Sequence, residues 1–95
     1  MSAFLVTILH VNSDEWVNDY VTNVPEIFRS YGGEYAGVSK RIARQEGEGK
    51  DPDVIALFTF PSIDAIEQFL ADPRYAPYKK ARLQHSYGDI FAIEV

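Results

Sequence analysis

A few small groups of residues carry the side chains that could do chemistry. His10 closes an apolar run, in phase with Phe4, Val6 and Ile8. An imidazole beside an apolar cavity accepts a proton near neutral pH, so His10 is the candidate base if that face lines a pocket. Tyr75, Lys79 and Arg82 fall at i, i+4 and i+7, one face of a helix, with Tyr78 alongside. Cations among phenols can hold a small carboxylate, and the arginine fork matches its oxygens best. Tyr31 and Tyr35 flank Gly32-Gly33, where backbone can approach a ligand and phenols can bond it. Glu46 lies in an acidic loop and could reach a pocket or a basic group across a subunit boundary. Each group also has a plainer reading. A strand-end histidine can bond water, a basic helix face can be solvated, double glycine can simply end a helix, and loop carboxylates are ordinarily exposed.

Several chemistries are excluded or disfavoured. The chain has no cysteine, which removes thiolate catalysis, disulfides and Cys-ligated zinc. His10 and His85 have no spacing that builds a metal site, so no metal and no bound cofactor are expected. Gly47-Glu48-Gly49-Lys50 lacks the spacing and the Ser/Thr of a phosphate-binding loop. A net charge of −5 and a pI near 4.8 argue against a nucleic-acid surface. No apolar stretch is long enough for a membrane span, and the short run Ala3–Val11 reads as a strand rather than a signal peptide. A cytoplasmic location is the default expectation.

The elements that must position these residues follow from periodicity. At 95 residues and 46% hydrophobic, the chain reads as a single domain with a packed core. Ala3–Val11 is apolar on both faces, a buried strand. Asn12 and Ser13 with Glu15 have the spacing of a helix start, and Trp16, Val17, Tyr20, Val21, Val24, Ile27, Phe28 and Tyr31 form one apolar stripe. Pro25 predicts a kink, and Gly32 or Gly33 the helix end. Glu34–Arg44 alternates as a strand with one wet face, 45–53 is an acidic hairpin loop, and Val54–Phe60 is a second strand apolar on both sides. Ser62 caps a helix through Leu70; Asp72-Pro73 breaks and restarts it to about Gln84, with Pro73 at the first helical position. Gly88-Asp89 is expected to turn the chain into a last strand, Ile90–Val95.

The order is βαββαβ, which predicts an α+β ferredoxin-like fold: a four-stranded antiparallel sheet in order 4-1-3-2 with helices on one face. The strands that are apolar on both sides are the central ones in that order. Helices cover one face only, so a second copy is expected on the other, burying roughly 1,000 Å² or more. The expected assembly is a homodimer through the sheet face.

Tyr20, Tyr31-Gly32-Gly33-Glu34-Tyr35, Glu46-Gly47, Phe60-Pro61-Ser62 and the run Phe69–Arg82 together resemble the domain of unknown function 1330 family. The resemblance spans nearly the whole chain in the right order. It implies membership of the dimeric α+β barrel group, a dimer and a candidate pocket, but no reaction. The chain departs from it after the Tyr-Gly-Gly motif: Ala36-Gly37-Val38-Ser39 stands where members often have an arginine-glycine-rich segment. Related barrels include haem-degrading monooxygenases using Asn, Trp and His; Asn12, Trp16 and His85 are present, but Trp16 falls in the apolar stripe and reads as core.

Function is thus expected at a pocket between sheet and helices that takes a small polar or carboxylate-bearing molecule. A cofactor-independent reaction there would use His10 as base, Arg82 as anion holder, and Tyr35 or Tyr75 as donor. The alternative is a non-enzymatic dimeric binding or interaction module, since no complete nucleophile–base–orienter set is visible.

Overall fold

The computed structural model describes residues 2–95. They form β1 (Ala3–Val11), α1 (Val17–Arg29), β2 (Glu34–Ser39), β3 (Val54–Phe60), α2 (Ile63–Leu70), α3 (Ala76–His85) and β4 (Ser86–Glu94). The strands join one antiparallel sheet ordered β2-β3-β1-β4, the expected order read from its other edge. The two strands that are apolar on both sides are the central pair. The fold is α+β and ferredoxin-like.

Period-two alternation gives the sheet two different faces. On the inner face Ala3, Leu5 and Leu9 of β1 and Phe58 and Phe60 of β3 are buried. There Ala3, Leu5, Phe58 and Phe60 meet Val24, Ile27 and Phe28 of α1, Ile66 and Phe69 of α2, and Tyr75 just before α3. Phe28 is the hub: its ring centroid lies 5.3 Å from Phe58, 6.0 Å from Phe69 and 5.1 Å from Tyr35, all edge-on. Edge-on contacts of this kind add to the area that the rings bury. The outer face carries Phe4, Val6, Ile8 and His10 with their cross-strand partners Ile55 and Leu57 of β3 and Tyr87, Phe91 and Ile93 of β4. The molecule is 17 Å across its thinnest axis, room for one sheet and one helical layer. Among the described residues nothing covers the outer face: Phe91 is 54% and Ile93 46% exposed.

Several local expectations are corrected. The Asn12–Glu15 box does not form. Helix α1 starts at Val17 with no side-chain cap, the Trp16 indole N–H donates to the Ser13 carbonyl (2.8 Å), and Glu15 pairs with His85 instead. Pro25 lies inside α1 and is buried. It ends as the double glycine predicts: Gly33 N–H donates to Phe28 O and Gly32 N–H to Arg29 O, both at 2.9 Å, with Gly32 at φ +80°. Strand β2 stops at Ser39 rather than Arg44, because as an edge strand it keeps only its ladder to β3. Ser62 does cap α2, its Oγ accepting from Ala65 N–H at 3.1 Å. The Asp72-Pro73 restart is delayed; α3 begins at Ala76, and Pro77, not Pro73, occupies its first turn. Strand β4 begins at Ser86, so Gly88 lies inside it and makes no turn. A Cβ on Gly88 would collide with the Ile8 carbonyl of β1. Glycine there permits close approach of the two backbones.

Candidate functional site

A cleft of about 690 Å³ opens between the inner face of the sheet and helices α1 and α3. Its floor is made of buried side chains, among them Leu5, Leu9, Phe28 and Phe58. Its rim carries exposed ones: Asp14, Glu15, Val21, Val38, Lys40 and Asp53. A mainly apolar concavity with a few polar groups at fixed positions is the usual form of a small-molecule site.

The bottom of the cleft holds an unbalanced charge. Arg82 lines it from α3, is only 5% exposed, and its Nε has no hydrogen-bond partner. The ion pairs among the described residues (Arg29 with Glu34, Arg44 with Asp51, Arg74 with Asp72) and the His85–Glu15 contact leave it out. The α3 backbone is held there by Ser86, whose Oγ donates to the Arg82 carbonyl at 2.6 Å. A guanidinium this buried with no carboxylate partner among the described residues is costly, and its donors suit an anion.

Two phenols stand beside it. The Tyr20 and Tyr75 hydroxyls are 2.7 Å apart, one donating to the other. That bond uses one of their two hydroxyl protons, so the pair keeps a donor for a ligand. Burial, then the neighbouring Tyr75, pushes the Tyr20 phenol well above its ordinary value, and the Arg82 charge opposes this. The aromatic chain continues outward to Trp16, edge-on to Tyr20 at 5.3 Å, which lines the cleft and is only half-buried. The expectation that Trp16 is core is corrected. Thr7, buried on β1, adds a hydroxyl to the same wall.

Tyr35 also lines the cleft, and burial raises its phenol as well. Its position depends on a β-bulge. The pairing steps from Tyr35↔Phe58 to Gly37↔Leu57, leaving Ala36 as the extra residue. Without it Tyr35 and Val38 would point to opposite faces; with it both face inward, where both line the cleft.

The remaining sequence candidates fall elsewhere. His10 is on the outer face, stacked on Tyr87 with ring centroids 4.8 Å apart, across the sheet from Arg82. The structure does not bring that base to this anion holder. Tyr31 donates to Asp72 at 2.5 Å at the far end of the helical layer. Arg74 first, then Tyr31, hold the Asp72 carboxyl well below the usual carboxylate range, and the bond to Asp72 raises the Tyr31 phenol. This cluster ties the end of α1 to the turn before α3. Glu46 is exposed in the loop and does not line the cleft. Arg82, Tyr75 and Tyr35 are the candidates brought together. Tyr20, Trp16 and Thr7 were not singled out in advance; the signal available was Tyr20 four residues after Trp16 on one helix face. Among the described residues no cluster of three or more His, Asp or Glu is placed to hold a metal ion. No helix among them is long and apolar enough to cross a membrane.

Known proteins with similar structures support the fold. A protein of unknown function from Rhodopseudomonas palustris aligns with a TM-score of 0.80 at 15% identity, covering 99% of this chain and 82% of its own. SnoaB, a cofactor-independent oxygenase from Streptomyces nogalater, aligns at 0.70 with 16% identity, covering 99% and 92%. A protein of unknown function from Bacteroides fragilis, described as dimeric with a ferredoxin-like fold, aligns at 0.57 with 9% identity, covering 99% and 96%. No curated protein matches in sequence. The sequence does match the family described as a domain of unknown function (DUF1330) over residues 2–95, and the chain belongs to that family.

Proposed function

We propose that this protein binds a small carboxylate-bearing molecule in the cleft, as a homodimer joined through the outer sheet face. The observation that carries the reading is Arg82: a guanidinium 5% exposed, without an ion-pair partner among the described residues, lining the floor of a mainly apolar cleft. A ligand carboxylate would supply the missing charge and accept from the fork, while the Tyr20–Tyr75 pair donates a further hydrogen bond. Catalysis by His10 has no place in this reading, because the sheet lies between the two groups. The likeness to a cofactor-independent oxygenase is a likeness of fold, and one fold hosts many functions.

The dimer rests on a separate observation. The outer face presents Phe4, Val6, Ile8, Ile55, Leu57, Phe91 and Ile93 around the sheet centre. Across all four strands of the sheet, spaced about 4.8 Å apart with about seven residues each at about 3.4 Å, the outer face measures about 450 Å² in projection. Two such patches face to face bury on the order of 1,000 Å², the lower bound of a stable interface. The similar Bacteroides fragilis protein, described as dimeric, agrees.

Native mass spectrometry of gently purified protein tests both parts. The expected species is a dimer with added mass that disappears in Arg82→Met. An adduct retained in Arg82→Met refutes the anion role, and a monomer at micromolar concentration refutes the dimer.

A further inference from the structure

The distribution of charge along the cleft says more than that an anion binds. We infer that the site selects a singly charged anion with a rigid apolar body, its carboxylate held by Arg82, and rejects a second negative charge. This rests on the reading of Arg82 as the anion holder.

The floor is basic and the rim is acidic. Arg82 is buried, whereas Asp14, Glu15 and Asp53 stand at the exposed edge with one cation, Lys40. Three carboxylates against one ammonium leave the rim at −2 (−3 + 1), within a chain whose net charge is −5. Two of the acids are held there. The Asp53 carboxylate accepts from Val11 N–H at 2.7 Å, and Glu15 lies 3.0 Å from His85 Nε2. Between floor and rim the walls are half-buried, apolar and aromatic, with Trp16, Val17, Val54, Ala56 and Ile90 among them.

Ligands of different charge fare differently between floor and rim. A neutral molecule of the same shape leaves the guanidinium buried and unpaired. A cation meets Arg82 at the floor. A dianion places its second charge among the rim carboxylates, where repulsion across a few ångströms at a half-wet boundary costs about tenfold or more in affinity. A monoanion with an apolar body pairs Arg82, covers the aromatic walls and sends nothing charged to the rim. The acids therefore act as a filter, and Asp14 and Glu15 are specificity-determining residues of the site.

Titration calorimetry on the full chain at neutral pH, with three probes of one shape, tests this. The probes are para-phenylbenzoate, the corresponding biphenyl dicarboxylate, and para-phenylbenzyl alcohol. We expect the monocarboxylate to bind tightest, with the dicarboxylate and the alcohol each about tenfold or more weaker. Raising salt to about 1 M, where screening acts over roughly 3 Å, should narrow the dicarboxylate gap. The double variant Asp14→Asn, Glu15→Gln should narrow it too. A dicarboxylate that binds as well as the monocarboxylate overturns the filter; if Arg82→Met then weakens both, the anion-holder reading still stands. If monocarboxylate and alcohol bind equally and Arg82→Met changes neither, that earlier reading falls instead. No binding by any probe at millimolar concentration overturns the inference that the cleft takes a rigid apolar body.

Discussion

Replacing Arg82 by methionine should stabilise the ligand-free protein. The side chain is 5% exposed, its Nε lacks a partner, and no carboxylate pairs with it among the described residues. In the folded state the charge has lost much of its hydration without an ion pair in return. The unfolded chain restores that hydration, so the charge weighs against folding. Methionine keeps most of the stem's packing and removes the charge. Measured replacements of buried ionic groups by apolar ones are neutral to several kcal/mol stabilising, and an unpaired group belongs toward the favourable side: about 1–3 kcal/mol. For a chain of this size each kcal/mol moves Tm by about 4–8 °C. The assay is urea and thermal unfolding of protein refolded free of ligand, at fixed concentration, with Arg82→Lys beside it. Lysine keeps the charge and should show no gain. Destabilisation of Arg82→Met by more than about 1 kcal/mol would refute the reasoning, since it would mean the guanidinium is satisfied in the folded protein. The gain should be matched by loss of carboxylate binding, a site held at the expense of stability.

Other consequences follow from groups outside the cleft. The Asp72 carboxyl is held below its ordinary range by Arg74 and then Tyr31, so its contribution is complete above the unfolded value of about pH 4 and is lost as pH falls toward the folded one. Below about pH 4, the urea midpoint of the wild type should therefore fall more steeply than that of Asp72→Asn. Gly88→Ala forces a Cβ against the Ile8 carbonyl and should cost at least about 2 kcal/mol by urea unfolding, whereas Gly37→Ala, which meets nothing, should be far milder. Phe91→Lys places a charge on the outer face and should weaken the dimer roughly a hundredfold or more by analytical ultracentrifugation, leaving the far-ultraviolet spectrum unchanged.

Strand order was legible in the sequence because the pattern differs between strands. Ala3–Val11 and Val54–Phe60 are apolar at every phase, as central strands must be, and the double glycine marks the end of α1 without ambiguity. That same two-sided apolarity hid the location of His10. Period-two phase separates Phe4, Val6, Ile8 and His10 from Ala3, Leu5, Thr7 and Leu9, but it cannot say which set the helices cover. The burial of Leu5 and Leu9 answers that, and His10 lies on the other side. Tyr35 illustrates a second limit: the extra residue at Ala36 resets the phase, and nothing in the local composition announces a bulge. Arg82 was visible as part of a helical triplet with Tyr75 and Lys79. Its lack of a partner was not, because pairing depends on which of fourteen acids the fold brings near, and it brings none. Gly88 read as a turn because close approach of two backbones leaves the same sequence mark as a bend.

The side-chain Nε–H signal of Arg82 reports the central claim most directly. It can be assigned in a nitrogen-labelled sample by its absence from Arg82→Lys, then followed while para-phenylbenzoate is added. If the cleft holds the carboxylate through this guanidinium, the signal shifts downfield in proportion to saturation and its exchange with water slows. If the probe binds and the signal does not move, the carboxylate sits elsewhere and the account of the cleft is wrong.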